Sequence, residues 1–245
     1  VSLGHPRAIY ELRAGASFRD PVALAEFDSS LRSAVESSLN IRLDDKSWTQ
    51  CTLPPLLGGI GVRAPSQLAL SAFISSSAST DELASTICNG APDTIITTAR
   101  SMWEGLTQSS PPPDLEAGKC RLWQGPLDKV HRARLQTSLT STRDIARLHS
   151  ASTAEAAELY RKPPSTRDGT RLTDPELSIA IGLRLGLPVA KPATCVCGSQ
   201  LDTQGDHALS CNHGVERHRR HGEVNKRICN ASSEAGFLAV LEPPS

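Results

Sequence analysis

Aromatic residues make up only 4% of this 245-residue chain, there is a single methionine, and the apolar fraction stops at 38%. That scarcity argues against one large, tightly packed core and predicts helical parts joined by exposed linkers. No apolar run approaches the roughly 18 residues of a membrane span, which predicts no membrane partner. The N-terminus lacks the basic-then-apolar layout of a secretory leader. Net charge is missing as well, with 26 basic residues against 26 acidic ones, so the chain as a whole is no polycation. Within that balance 20 of the 26 basic residues are arginine, the side chain suited to bidentate phosphate and carboxylate contacts. The chain opens on Val1 and closes on Pro-Pro-Ser, and it reads as a piece of a longer protein.

What the sequence does hold is mostly helical signal. Asp20-Pro21 is a capped start, and Leu24, Phe27, Leu31 and Val35 then recur at helical spacing to about Leu39. Asp44 and Asp45 open a short segment around Trp48. The stretch from Leu53 to Val62 mixes prolines, leucines and three glycines; with no Lys-Ser/Thr following, it reads as a tight backbone crossing rather than a phosphate loop. A helix is expected from Pro65 to about Ser77, and weaker patterning from Asp81 to Leu106 is broken at Asn89-Gly90 and Pro92. Ser109–Pro113 is a linker by composition, residues 126–150 read as helix with a break near Thr140–Thr142, and 153–161 as a shorter one. Thr173-Asp-Pro-Glu176 is a capping box that opens a helix running to Gly186. Arg184, on that helix, reads as a solvated or cap-side arginine more readily than as a nucleic-acid contact.

The chemistry concentrates near the end. Cys195-x-Cys197, His207 and Cys211 place three thiols and one imidazole within 17 residues, the donor set of a tetrahedral structural zinc site. The odd count of seven cysteines, and the scatter of Cys51, Cys88 and Cys120, favour a reducing compartment over a disulfide framework. Unligated thiols and a disulfide stay as alternatives, and His213 is the competitor for the fourth ligand place. Thr194–Asn212 has almost no apolar side chains, so a metal would be what holds it together. A helix follows from about Val215 to Ala235, carrying Arg217, Arg219, Arg220, Lys226 and Arg227, with Glu216 and Glu223 partly offsetting them. Directly behind a zinc knuckle, that run is expected to contact nucleic-acid backbone. His218 and His221 form a weaker second metal pair, and Phe237–Leu241 reads as a buried strand.

Leu-Pro-Pro-Leu-Leu-Gly-Gly-Ile-Gly-Val over 53–62 with Arg-Ala-Pro-Ser-Gln-Leu-Ala-Leu-Ser-Ala-Phe over 63–73 resembles the segment following the polymerase domain in non-LTR retrotransposon reverse transcriptases. Ile181–Gly186 and the Cys-x-Cys … Gly-Asp-His-Ala-Leu-Ser-Cys211 … Arg-His-x-x-x-Asn225 string resemble the knuckle of the same polyproteins, which pair that polymerase with a restriction-like endonuclease. The resemblance covers most of the chain, best over 20–80 and 172–245. It implies thumb-like helices over 1–80, an irregular linker over 81–125, a helical connector over 126–190, a CCHC-type knuckle over 191–214, and over 215–245 the helix–strand start of a truncated α/β nuclease domain. The expected fold is therefore mostly α. The parent would be an RNA-directed DNA polymerase and endonuclease, intracellular and working in the nucleus. The family's polymerase aspartate pair lies upstream and its nuclease acids downstream, so this segment is expected to bind RNA or DNA without catalysis. Glu242 alone cannot assemble a two-metal site.

Two other functions compete, a zinc-dependent adaptor for protein partners and a zinc hydrolase using Asp206 beside His207. Three thiolates and an imidazole leave no open metal position for the latter. The relic of a decayed element, made without function, is a further form of the leading reading.

Overall fold

A computed structural model describes residues 4–87, 94–166, 170–211, 213 and 215–241. The chain is mostly helical and divides into two compact units, Val1–Leu187 and Pro188–Ser245. No helix among the described residues is long and apolar enough to cross a membrane.

The first unit holds α1 (Gly4–Ala14), α2 (Pro21–Leu39), α3 (Asp45–Thr52), α4 (Pro65–Ile87), α5 (Thr94–Thr107), α6 (Cys120–Ser138), α7 (Thr142–Ala151), α8 (Ala154–Arg161) and α9 (Asp174–Leu185). The caps read from sequence act as expected. Asp20 accepts from the Ala23 N–H and the Thr173/Glu176 box closes the start of α9, while Asp44, expected only to open a short segment, caps α3 by accepting from the Ser47 N–H. Three bounds differ from the sequence reading. A helix over 4–14 precedes the first one expected. α4 runs ten residues past Ser77, and in its serine-rich second half hydroxyls turn back onto the helix's own carbonyls, Ser79 onto Ser75 and Thr80 onto Ser76. α6 begins at Cys120, six residues early, and carries Pro126 inside it. The expected break at Asn89-Gly90 and Pro92 lies outside the described residues.

Apolar burial in this unit is spread over four clusters rather than one core. The largest joins α4, α5 and α6 around Trp103 and Trp123, whose rings meet edge to face at 4.9 Å. Both indoles are buried, and each N–H finds a carbonyl: Trp103 donates to the Trp123 oxygen at 2.7 Å and Trp123 to Ala117 at 2.6 Å. A second cluster packs α2 and α3 against α9 through Val35, Cys51, Ile181 and Leu185. Burial drives the Cys51 thiol up to about 12, so this cysteine is a core residue without reactivity. Asp44 and Asp45 have structural work, the first capping α3 and the second pairing with Arg32 at 2.9 Å.

The glycine-rich crossing at 53–62 is the hub of the unit. A Cβ on Gly59 would lie 1.9 Å from the Leu53 carbonyl oxygen, so only glycine fits where the backbone folds on itself. Arg184 plugs into this crossing. It is buried, neither solvated nor cap-side as the sequence suggested, and among the described residues it pairs with no carboxylate. Its guanidinium donates to the carbonyls of Gly59 (2.9 Å), Ala156 (2.8 Å), Pro55 (2.7 Å) and Ala151 (2.9 Å). Its carbon centre lies 4.4 Å from the centroid of the Tyr160 ring. Gln50 then bridges the Gly58 and Arg184 carbonyls, at 2.9 and 3.0 Å. The glycine-rich crossing and the α9 arginine thus form one polar knot tying α3, α7, α8 and α9 together.

The second unit is built differently. It contains a two-stranded antiparallel hairpin, β1 (Ala193–Thr194) with β2 (Gln200–Leu201), a short helix α10 (Asp206–Ser210), and α11 (Val215–Glu234). Gly205 is its one buried residue among those described. Phe237–Leu241 does not form the buried strand expected of it. Phe237, Leu238 and Val240 are 71%, 99% and 85% exposed, because no described strand lies alongside to pair with them. Glu242 lies outside the described residues.

Candidate metal centre

The hairpin and α10 bring the four expected donors together. Thr194 pairs with Gln200 just before the tip, and the Cys195 N–H donates to Ser199 O at 2.8 Å, closing the turn that carries Cys195 and Cys197. Gly198 makes that turn with φ +85°, a conformation glycine takes at little cost, and its N–H returns to Cys195 O at 2.9 Å. The short gap between Cys195 and Cys197 thereby folds both thiols to one side.

The other two donors come from α10. His207 lies in its first turn and Cys211 just past its end, and the Cys211 N–H donates to His207 O at 2.8 Å. Asp202, which the sequence reading did not single out, sets this helix. Its carboxylate accepts from the His207 N–H at 2.6 Å and the Asp206 N–H at 2.8 Å. Those two bonds, His207 first, hold the Asp202 carboxyl below the usual carboxylate range. An aspartate placed before Gly-Asp-His was the available signal, since short acids satisfy the orphan N–H groups of a helix start.

The sulfurs of Cys195, Cys197 and Cys211 and a ring nitrogen of His207 all lie within 4.8 Å of one another. Cys195 Sγ is 3.7 Å from Cys211 Sγ, and Cys197 Sγ is 3.3 Å from His207 Nε2. A tetrahedral ion with metal–sulfur bonds of about 2.3 Å and metal–nitrogen bonds of about 2.0 Å needs edges of roughly 3.8 and 3.5 Å. The cluster is therefore proportioned to hold one metal ion, and its soft donors are compatible with zinc. Among the described residues it is the one grouping of three or more such side chains. Ser199, through its hydroxyl and then its backbone N–H, draws the Cys197 thiol down to about 6, toward the thiolate a metal requires. Cys195 moves the other way: a backbone bond from Cys197 lowers it, but burial and the neighbouring thiols Cys197 and Cys211 raise it more.

The remaining expected site residues sit apart from this cluster. His213 is exposed and outside it. His218 and His221 are exposed on α11, and His221 Nδ1 meets Asn225 at 3.3 Å rather than a second metal-capable group. Arg217, Arg219, Arg220, Lys226 and Arg227 all fall on α11, as expected. Arg219, Lys226 and Arg227 are exposed, Lys226 pairs with Glu223 at 3.3 Å, and the Arg217 and Arg220 side chains lie outside what is described. Comparison with protein-family models, with curated proteins and with solved structures finds no match for this chain.

Proposed function

We propose that this chain is the nucleic-acid-binding C-terminal segment of a retroelement reverse transcriptase, catalytically silent by itself and ordered in its second unit by one structural zinc. The observation that carries the reading is the closed four-donor cluster with the basic helix α11 following it. Three thiolates and one imidazole fill a tetrahedron completely, which supports a structural ion over a hydrolytic one. The arginines of α11 then engage phosphates on RNA or DNA. In the same reading the helices over 1–80 are thumb-like, 191–214 is the knuckle, and 215–245 begins a nuclease fold completed by the rest of the polyprotein.

The test is filter binding of the reduced, zinc-loaded chain to RNA and to single-stranded DNA over a range of salt. Binding should weaken linearly in log–log form as salt rises, through counterion release. Charge reversal at Arg217, Arg219 and Arg220 should abolish most of it. Absence of binding at low salt sinks the reading. The exposure of Phe237, Leu238 and Val240 favours a second reading, a zinc-dependent adaptor for a protein partner. Such an adaptor would show no systematic salt slope on RNA.

A further inference from the structure

The most one-sided charge in the first unit lies on α6. Its exposed cations Arg121 and Lys129, with half-buried Arg132, fall within about 80° of the helix circumference at about 100° per residue. The helix's one acid, Asp128, is buried and held by Arg63 at 3.0 Å. Among the described residues no ion pair includes Arg121, Lys129 or Arg132. Glu116, near Arg121, is taken by Lys119. Arg132 bonds only neutral groups, Gln136 at 2.9 Å and Ser152 at 3.5 Å, so its charge is not cancelled. By contrast α11 sets three glutamates, Glu216, Glu223 and Glu234, against its five cations.

The centre of the α6 face is bare. Gly125 lies on the same arc, and a Cβ built there meets nothing within 4 Å. Its place before Pro126 explains a glycine, since a Cβ would crowd the proline ring. The consequence is a flat stretch of backbone flanked by Arg121, Lys129 and Arg132, open to close approach by a strand. From Arg121 to Arg132 the helix rises about 16 Å, long enough to lie along several consecutive phosphates of one strand.

We infer that the exposed basic face of α6 is a second nucleic-acid surface, contacting the phosphate backbone through Arg121, Lys129 and Arg132 independently of the metal centre. This rests on the nucleic-acid reading above, and it adds a surface in the first unit that does not need zinc.

The test measures binding of a labelled single-stranded RNA of mixed sequence to the full chain at several salt concentrations. Arg121→Gln with Lys129→Gln should weaken binding roughly tenfold and lower the salt slope by about 1.4. Both side chains are exposed and make no ion pair among the described residues, so the unfolding midpoint should stay where it was. Arg134→Gln removes an exposed charge from the opposite side of the same helix and should change neither affinity nor slope. In a Cys211→Ser background, the loss caused by the α6 pair should persist. If the unmutated chain binds but the α6 pair leaves slope and affinity unchanged, as a face reserved for an acidic protein would, the α6 surface is refuted and the function stands. If Arg134→Gln costs as much as the pair, overall charge is responsible and the surface is again refuted. If the unmutated chain does not bind, both fall.

Discussion

The two units solve the same problem by opposite means. Val1–Leu187 gathers buried tryptophans and leucines into four clusters and buries an arginine as well, whereas Pro188–Ser245 buries one glycine among its described residues and gathers four metal-capable side chains instead. Stability in the first comes from apolar area and satisfied polar groups. In the second, two-residue strands and a five-residue helix lack that area, and under the proposed reading metal coordination supplies what packing does not. One consequence is that each unit should fail under a different insult.

Metal removal is the sharpest way to separate them. A strong chelator should unfold the hairpin and α10 while leaving the first unit's helical signal and its tryptophan fluorescence intact, because all three tryptophans lie before Pro188. Structural zinc supplies about 10–16 kcal/mol in isolated modules, far more than any single contact here. Loss of both units together, followed by circular dichroism, would mean they are not held separately.

The converse experiment attacks the polar knot. Arg184→Lys keeps the charge but cannot serve four carbonyls or stack on Tyr160, and it should cost the first unit about 2–4 kcal/mol in denaturant unfolding. Gly59→Ala should cost about 3 kcal/mol, since its Cβ would collide with backbone that cannot yield. Neither change should alter metal content. Next in size is Asp202→Ala, which frees the His207 N–H and should weaken metal affinity ten- to a hundredfold in a competition titration with a chromophoric chelator. An unchanged affinity would reduce Asp202 to a bystander.

The smallest effect is a pH slope in the first unit. Burial, then the charge of Arg134, lowers His131 below its ordinary 6.5, while Asp128 partly offsets them and Arg63 adds to the lowering. The unfolded chain therefore takes up a proton at higher pH than the folded one, so stability is full above about 6.5 and declines as pH falls toward the folded value. His131→Gln should flatten that decline in unfolding curves collected from neutral to mildly acidic pH.

These contrasts also explain what could be read from sequence. The donors of the candidate metal centre were legible because cysteine and histidine are rare, chemically particular and close along the chain. Caps at Asp20 and Thr173 were legible for a similar reason, each being a local pattern. Arg184 was not, because its partners are backbone carbonyls of Pro55, Gly59, Ala151 and Ala156, and carbonyls carry no sequence signal. The reach of α4 was hidden by a serine run that composition reads as a break. Phe237–Leu241 has strand-like composition, but a strand needs a partner, and local sequence cannot say whether one is present.

Everything attributed to the second unit depends on an ion among Cys195, Cys197, His207 and Cys211. The direct measurement is metal stoichiometry of the purified, reduced chain by native mass spectrometry with elemental analysis. One zinc per chain, absent in Cys211→Ser, is the expected result. A folded, reduced, unmutated chain that carries no metal and takes up none when zinc is supplied would contradict it.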